Sequence, residues 1–291
     1  MDMNKLILFS VIVILFVTSC DQEEVSPKQA DKFVKYYGGL STDHGNDVKQ
    51  LPDGGYFIVG TITIGDNSDI FTLVTDEYGN SKTGLKTFDG NNLNDKISRM
   101  QLLNDGGAVA IGTYQRALGN NDIWILRFNN KGDTLWTRKF GGSDDDEGYN
   151  LIVNRSDDIV AVGYTDISSD GNVNREFWIH NISKEGTDIW ADERVLGHPK
   201  FDEVANSIIQ IDDGYILIGS SNQKNANRSI LFSKITEWGG FSRITSIPSE
   251  PSEYDYQGNM IAQLRDGNFL ILATRTDVST STSDILLYKV E

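Results

Sequence analysis

Five acidic residues recur at a near-constant distance from a turn. Asp43, Asp95, Glu147 and Asp202 each stand ten residues ahead of an aspartate (Asp53, Asp105, Asp157 and Asp212), and Asp255 stands eleven ahead of Asp266. Carboxylates gathered in one place can do two kinds of chemistry. Their mutual repulsion raises some of their pKa values, which sets an acid beside a base, or their charge attracts a hard cation such as calcium. The alternative is local: each side chain accepts backbone N–H bonds and caps its own loop, which is why a repeat would keep it. Recurrence in every repeat favours capping, since catalytic groups usually break the symmetry of a repeat.

Other candidates are sparser. The three histidines, His44, His180 and His198, have no metal-ligand spacing and form no Ser-His-Asp arrangement. Residues 166–174 and 143–147 are rich in side-chain oxygens, yet neither has the alternating spacing and closing glutamate of an EF-hand loop. Calcium binding there is a weak expectation, and no other cofactor is expected, because no phosphate-cradling Gly-rich loop precedes a helix. Trp124 and Trp178 share one repeat position and Trp136 and Trp190 another, the pattern of core residues. Trp238, in the turn Glu237-Trp238-Gly239, is matched by Tyr78 in the first repeat. As exposed loop aromatics, these two are candidate contacts for carbohydrate or a protein partner.

The elements that must position these groups are short strands in a repeat. Asp-Ile-aromatic stretches or their variants begin at Asp69, Asp122, Glu176, Ser229 and Asp284, 53 to 55 residues apart. A fixed period of this length filled with alternating strands signals an all-β, five-bladed β-propeller with four-stranded blades. Within each repeat, strand a is followed by a turn such as Asp53-Gly54-Gly55 or Asp105-Gly106-Gly107, which supplies the positive-φ residues of a tight hairpin. Strand b is a continuous apolar run, such as Ala108–Ile111 or Ile159–Val162, and four of the five end in glycine. Such runs belong to strands buried on both faces. On this layout the five carboxylates enter strand a and surround one mouth of the central channel.

The fifth repeat ends at Glu291 after strand c, with no strand d. The segment Phe33-Val34-Lys35-Tyr36-Tyr37-Gly38-Gly39 matches Trp136-Thr137-Arg138-Lys139-Phe140-Gly141-Gly142 in pattern. Residues 32–37 are therefore expected to complete the last blade and close the ring, hiding sheet edges.

The N-terminus carries a different signal. Lys5 precedes an apolar run from Leu6 to Val17, too short to span a bilayer, which needs roughly 20 residues. Val17-Thr18-Ser19-Cys20 resembles the lipobox of bacterial lipoproteins, in which the cysteine is lipidated and becomes the mature N-terminus. The resemblance implies a signal peptide over 1–19, a lipidated Cys20 with an acidic tether over 20–30, and a propeller over 31–291. It also implies anchoring at the bacterial cell envelope, at the outer membrane, with Asp21-Gln22-Glu23-Glu24 resembling the export tag of some surface lipoproteins. Cys20 is the only cysteine, which excludes an internal disulfide framework and a cysteine nucleophile in the mature body. A net charge of −16 excludes nucleic acid and anionic headgroups as partners.

With their Asp-Gly-Gly turns and Trp-x-x-x-Phe-Gly-Gly outer strands, residues 31–291 resemble a bacterial secreted propeller-repeat family. That resemblance speaks to fold and hardly to activity. The expectation is a monomeric, non-catalytic binding module for glycan or an envelope protein. The alternative is a propeller glycoside hydrolase, which needs two carboxyl groups across one sugar bond, drawn from Asp43, Glu147 and Asp202.

Overall fold

The computed structural model describes residues 32–39, 42–169, 172–197, 201–222, 227–247 and 253–290. The signal and tether segments, Cys20 and His198 lie outside the described residues. The described residues contain no helix, and their nineteen strands form five antiparallel sheets. Sheet 1 holds β1 (Asp43–Gln50), β2 (Tyr56–Ile64), β3 (Asn67–Thr75) and β4 (Lys86–Phe88). Sheet 2 holds β5 (Lys96–Leu102), β6 (Ala108–Ala117), β7 (Asn120–Phe128) and β8 (Thr134–Phe140). Sheet 3 holds β9 (Asp146–Val153), β10 (Ile159–Ser169), β11 (Asn172–Ile182) and β12 (Arg194–Leu196). Sheet 4 holds β13 (Glu203–Ile211), β14 (Gly214–Ser221), β15 (Ser229–Ile235) and β16 (Phe241–Ile247). Sheet 5 holds β17 (Tyr254–Gln263), β18 (Phe269–Asp277) and β19 (Ser283–Val290). All nineteen strands belong to one compact unit, Tyr36–Glu291, and five sheets of this order fit a five-bladed propeller.

The core lies between sheets. Phe57, Val59 and Ile70 of sheet 1 pack with Met100, Trp124 and Phe128 of sheet 2, and equivalent clusters join sheets 2 and 3, 3 and 4, and 4 and 5. Burying each such side chain contributes about 1.5–3 kcal/mol, so the b and c strands carry most of the stability. Strand b is buried on both faces in β14, whose residues are all buried, and along Ala108–Thr113 of β6. The end sheets differ: β2 alternates and β18 is only half-buried. The second face of sheet 1 is buried at Ile62, Phe71 and Leu73, whereas most of β19 in sheet 5 is exposed. Ile285 and Leu287 of β19 are 87% and 61% exposed.

The strand-b glycines have a specific cause. A Cβ on Gly60, Gly112, Gly163 or Gly219 would fall against the carbonyl oxygen of His44, Lys96, Glu147 or Val204 on strand a. In sheet 5 this place opposite strand a is taken by Ala273, paired with Gly258, one residue beyond the Leu272 that the repeat spacing aligns with glycine.

Residues 32–37, expected to add a fourth strand to sheet 5, carry no strand, and sheet 5 has three. Tyr37 and the adjoining Gly39 make contacts with sheet 1 and its entry loop instead. The Tyr37 hydroxyl donates to the carbonyl of Gly79 in the c–d turn of sheet 1, and the Gly39 N–H donates to Asp43 Oδ2 at 2.8 Å.

Candidate functional site

The first strands of successive sheets lie side by side, in the order β1, β5, β9, β13, β17. Each of them breaks register with strand b by one residue, at Asn46, Ser98, Tyr149, Asn206 and Asn259. A bulge of this kind re-aims one side chain, and here the bulged residues tie neighbouring sheets together. Ser98 Oγ donates to the Gly148 carbonyl at 2.8 Å, and Asn206 Nδ2 donates to the Gly258 carbonyl at 2.7 Å. Tyr149 is the one aromatic among the five bulged residues, and its ring lies 5.7 Å from that of Tyr164. It lines two cavities among these first strands. One, of about 710 Å³, is lined by His44, Lys96, Ser98 and Glu147; the other, of about 350 Å³, by Arg175, Asp202, Asn206, Arg228 and Gln257.

The five expected carboxylates do not form one ring. Strand register makes Asp43, Asp95, Asp146, Glu203 and Tyr256 equivalent, each two positions before the residue that pairs with the strand-b glycine or, in sheet 5, Ala273. Asp43 and Asp95 therefore hold the expected place, and the other three are displaced by one residue, which turns a side chain to the opposite face. The displacement comes from the turns used as reference points. In sheet 3 the positive-φ residue is Asp157 itself, at φ 67°, so Ser156 takes the place of Asp53. In sheet 4 the turn is a tighter two-residue hairpin closed by Ile211 and Gly214. In sheet 5 the equivalent spacing from Asp266 leads to Tyr256, not Asp255.

Each displaced carboxylate has its own task. Asp202 Oδ1 accepts the Arg175 N–H at 3.2 Å, and Asp255 accepts the Arg228 N–H, so both cap the start of strand c in the preceding sheet. Asn94 does the same for Ser68, and Asp145 for Asn121. Glu147 lines the larger cavity. Asp43 and Asp95 accept N–H bonds from Gly39 and Gly90 in their own loops, as the capping alternative requires. Asp146 repeats this with Gly142. Sequence counting passed over Asp146.

The symmetry of the repeat breaks at sheet 3. Where sheets 1 and 2 carry Ser68 and Asn121 at the start of strand c, sheets 3 and 4 carry Arg175 and Arg228. The Arg175 guanidinium lies 4.3 Å from the Tyr164 ring centroid and its Nε 3.6 Å from Asp166 Oδ1. The Tyr164 hydroxyl donates to Asp145 Oδ2 at 2.8 Å. Burial, reinforced by the Glu147 carboxylate, holds Tyr149 firmly protonated, and burial with the Asp145 bond does the same for Tyr164. Asp166 is pushed up to about 6 by burial against the opposing pull of Arg175. The site thus places two guanidinium groups, a phenol, two amides and the Asp202 carboxylate along one polar wall.

A stability profile follows from these shifts. Asp146, like Asp166, is raised from 3.8 to about 6, in both cases chiefly by burial. A carboxyl raised on folding holds its proton more tightly in the folded chain. Its contribution to stability is complete below the unfolded value and is lost as pH rises through the folded one. Carboxylates that side-chain hydrogen bonds hold low, such as Asp53 with Lys82 and Asp188 with His180, act only below this window. The melting temperature is expected to rise by roughly 5 °C between pH 7.5 and pH 5, measured in EDTA. Asp146→Asn should flatten the profile, and a fall on acidification would contradict the assignment.

The two rim aromatics are exposed, Trp238 at 79% and Tyr78 at 37%, but they are not partners. Tyr78 belongs to sheet 1 and Trp238 to sheet 4. Both occupy c–d turns, which in an antiparallel a-b-c-d sheet share an end with the a–b turns. The carboxylates that enter strand a, and the arginines that begin strand c, lie at the other end. Trp136 and Trp190 instead donate their indole N–H groups to the Lys184 and Glu237 carbonyls of the next sheet, at 2.9 and 3.0 Å, as core residues of a repeat would.

No protein-family model matches the chain. No curated protein matches it either. Among solved structures, a thermostable family-43 glycoside hydrolase is similar at 10% identity and a TM-score of 0.50, over 89% of this chain and 92% of that one. An endo-arabinase from Bacteroides thetaiotaomicron VPI-5482 is similar at 12% identity and a TM-score of 0.47, over 90% and 98%. At such identity the likeness to the hydrolase concerns fold alone, and the fold is of β-propeller type.

Proposed function

We propose that the chain is a cell-envelope propeller that engages glycan in the smaller cavity, that of sheets 3 to 5. The observation that carries this reading is the break in symmetry. Tyr149, Arg175 and Arg228 stand where other repeats place small polar residues, and they converge with Asp202, Asn206 and Gln257 on one concave polar wall. Planar amide, carboxylate and guanidinium groups offer paired hydrogen bonds to adjacent hydroxyls, and an aromatic ring offers an apolar face. The fold shared with a glycoside hydrolase supports a carbohydrate ligand.

Hydrolysis is the second reading, favoured by one observation. Asp166, raised to about 6 by burial, is a carboxylic acid that keeps its proton close to neutral pH, with Asp202 near enough to act on it as a candidate base. Asp43, turned into its own loop, is no longer a candidate. The rest of the reading concerns placement. Cys20 carries the lipid that holds the protein at the outer membrane as a monomer, and residues 32–37 complete sheet 5. The contacts of Tyr37 and Gly39 support closure, because Gly39 to Asp43 repeats Gly90 to Asp95 and Gly142 to Asp146.

The test is retardation of the full-length chain, in detergent, in native gels cast with a panel of polysaccharides, with new reducing ends assayed in parallel. Retardation is expected with at least one polysaccharide. Arg228→Ala and Gln257→Ala should each weaken it about tenfold, the effect of losing ~1.4 kcal/mol. New reducing ends that vanish in Asp166→Asn would establish the hydrolase. No retardation and no new ends would turn the reading toward an envelope-protein partner.

A further inference from the structure

A second concentration of charge lies between sheets 1 and 2, away from the proposed glycan cavity. Carboxylate oxygens of Asp69, Asp89 and Asp95 lie within 4.8 Å of one another. Asp95 is fully buried and Asp69 is 7% exposed, while Asp89 is exposed and borders a surface cavity of about 460 Å³. Asp95 is satisfied by the N–H groups of Gly90 and Gln115, and Asp89 by those of Asn91 and Asn92. Asp69 is not: its buried Oδ1 has no hydrogen-bond partner. A buried carboxylate with an unpartnered oxygen, clustered with two further carboxylates, lacks a counter-ion.

The next interface shows what the first one lacks. Asp122 and Asp146 repeat the Asp69 and Asp95 pair between sheets 2 and 3. There, Arg116 stands with its Nε 3.9 Å from Asp122 Oδ1, and Gly141 occupies the place of Asp89. Between sheets 1 and 2 the arginine position is Ile64 and the glycine position is a third carboxylate. The first interface has thus lost its cation and gained an anion. The charge of Lys139 acts on Asp95, but its Nζ sits 3.0 Å from the Tyr114 ring centroid, stacked on that face. Burial, then the charge of Asp89, raises the Asp69 pKa.

We propose that Asp69, Asp89 and Asp95 form a calcium site that pins sheet 1 to sheet 2. Calcium takes oxygen ligands at roughly 2.3–2.6 Å, so any two of its ligands lie no more than about 5 Å apart, a limit that the three carboxylates here, within 4.8 Å of one another, meet. Exposed Asp89 supplies the entry, and the buried pair supplies the seat. Magnesium, which demands a tighter octahedron and retains its waters, fits a three-carboxylate cluster with an open side less well.

The test uses the full-length chain in detergent, stripped with EDTA, dialysed and titrated with calcium chloride by calorimetry and thermal melting. One site is expected, with a melting temperature roughly 5 °C higher at a hundredfold excess over Kd. Asp89→Asn, at an exposed position that does not threaten folding, should weaken binding at least tenfold. Asp69→Asn should abolish it, and Asp122→Asn should leave it unchanged. Absence of both heat and a melting shift at millimolar calcium would overturn the proposal. So would an equal shift with magnesium chloride, or an unchanged affinity in Asp89→Asn.

Discussion

Replacing Trp178 with alanine is expected to lower the unfolding free energy by about 3–5 kcal/mol. Trp178 is 1% exposed and belongs to the cluster between sheets 2 and 3, with Ile125, Phe140 and Ile159. Its ring centroid lies 5.3 Å from that of Phe140, and its indole N–H donates to Glu193. Removal would leave a cavity walled on both sides by sheets that are themselves fixed by strand pairing, so little collapse can fill it. The equivalent residue in sheet 5, Leu286, packs against the cluster between sheets 4 and 5 but is only partly buried. Leu286→Ala should therefore cost less than half as much. Urea unfolding monitored by circular dichroism measures both. Equal costs at the two positions would show that the inter-sheet clusters are not where stability resides.

Deleting residues 32–37 is the second large perturbation. If those residues complete sheet 5, their loss exposes the outer edge of β19 for good, next to a face on which Ile285 and Leu287 already meet solvent. An unpaired strand beside exposed apolar side chains is a template for aggregation. The truncated chain should melt roughly 10 °C or more below the intact one, on the scale of several kcal/mol lost from a domain this large, and scatter light on heating. Deletion of residues 21–26 in the tether is the control and should leave melting unchanged. A truncated chain that melts like the intact protein would refute closure by this segment.

Much of the fold was legible because the repeat states it several times. Asp-Gly turns, strand-b glycines and the Asp-Ile-aromatic starts each recur, so one ambiguous copy is corrected by the others. The glycines were readable for a physical reason: only a residue without Cβ tolerates the strand-a carbonyl opposite it. The candidate site was less legible, and the failure is specific. Spacing was counted from turn aspartates, but register is set by the residue with positive φ. Asp157 takes that role itself, and the sheet 4 turn is shorter, so Glu147 and Asp202 were placed one residue away from the equivalents of Asp95. A one-residue error on a strand exchanges its faces.

The bulges were invisible for a related reason. Asn46, Ser98, Tyr149, Asn206 and Asn259 do share a repeat position, but nothing in their types marks an unpaired residue. The aromatic among them was a readable signal, a departure from small polar residues at one place in one repeat. Arg175 and Arg228 carried the same kind of signal at the head of strand c. Departures from the repeat, not its constant residues, point to the smaller cavity. The Asp69 and Asp95 pair joins residues on different sheets and could not be seen from spacing within one repeat.

The most direct test of glycan engagement compares the intact chain with Arg228→Ala in polysaccharide-containing native gels, with melting temperatures measured alongside. Arg228 immediately precedes β15 at the cavity wall, so its side chain can be removed with little effect on folding. Retardation by a polysaccharide that drops about tenfold in Arg228→Ala, at unchanged melting temperature, is the predicted result. Equal retardation of both proteins would place the glycan elsewhere and contradict the assignment of the smaller cavity.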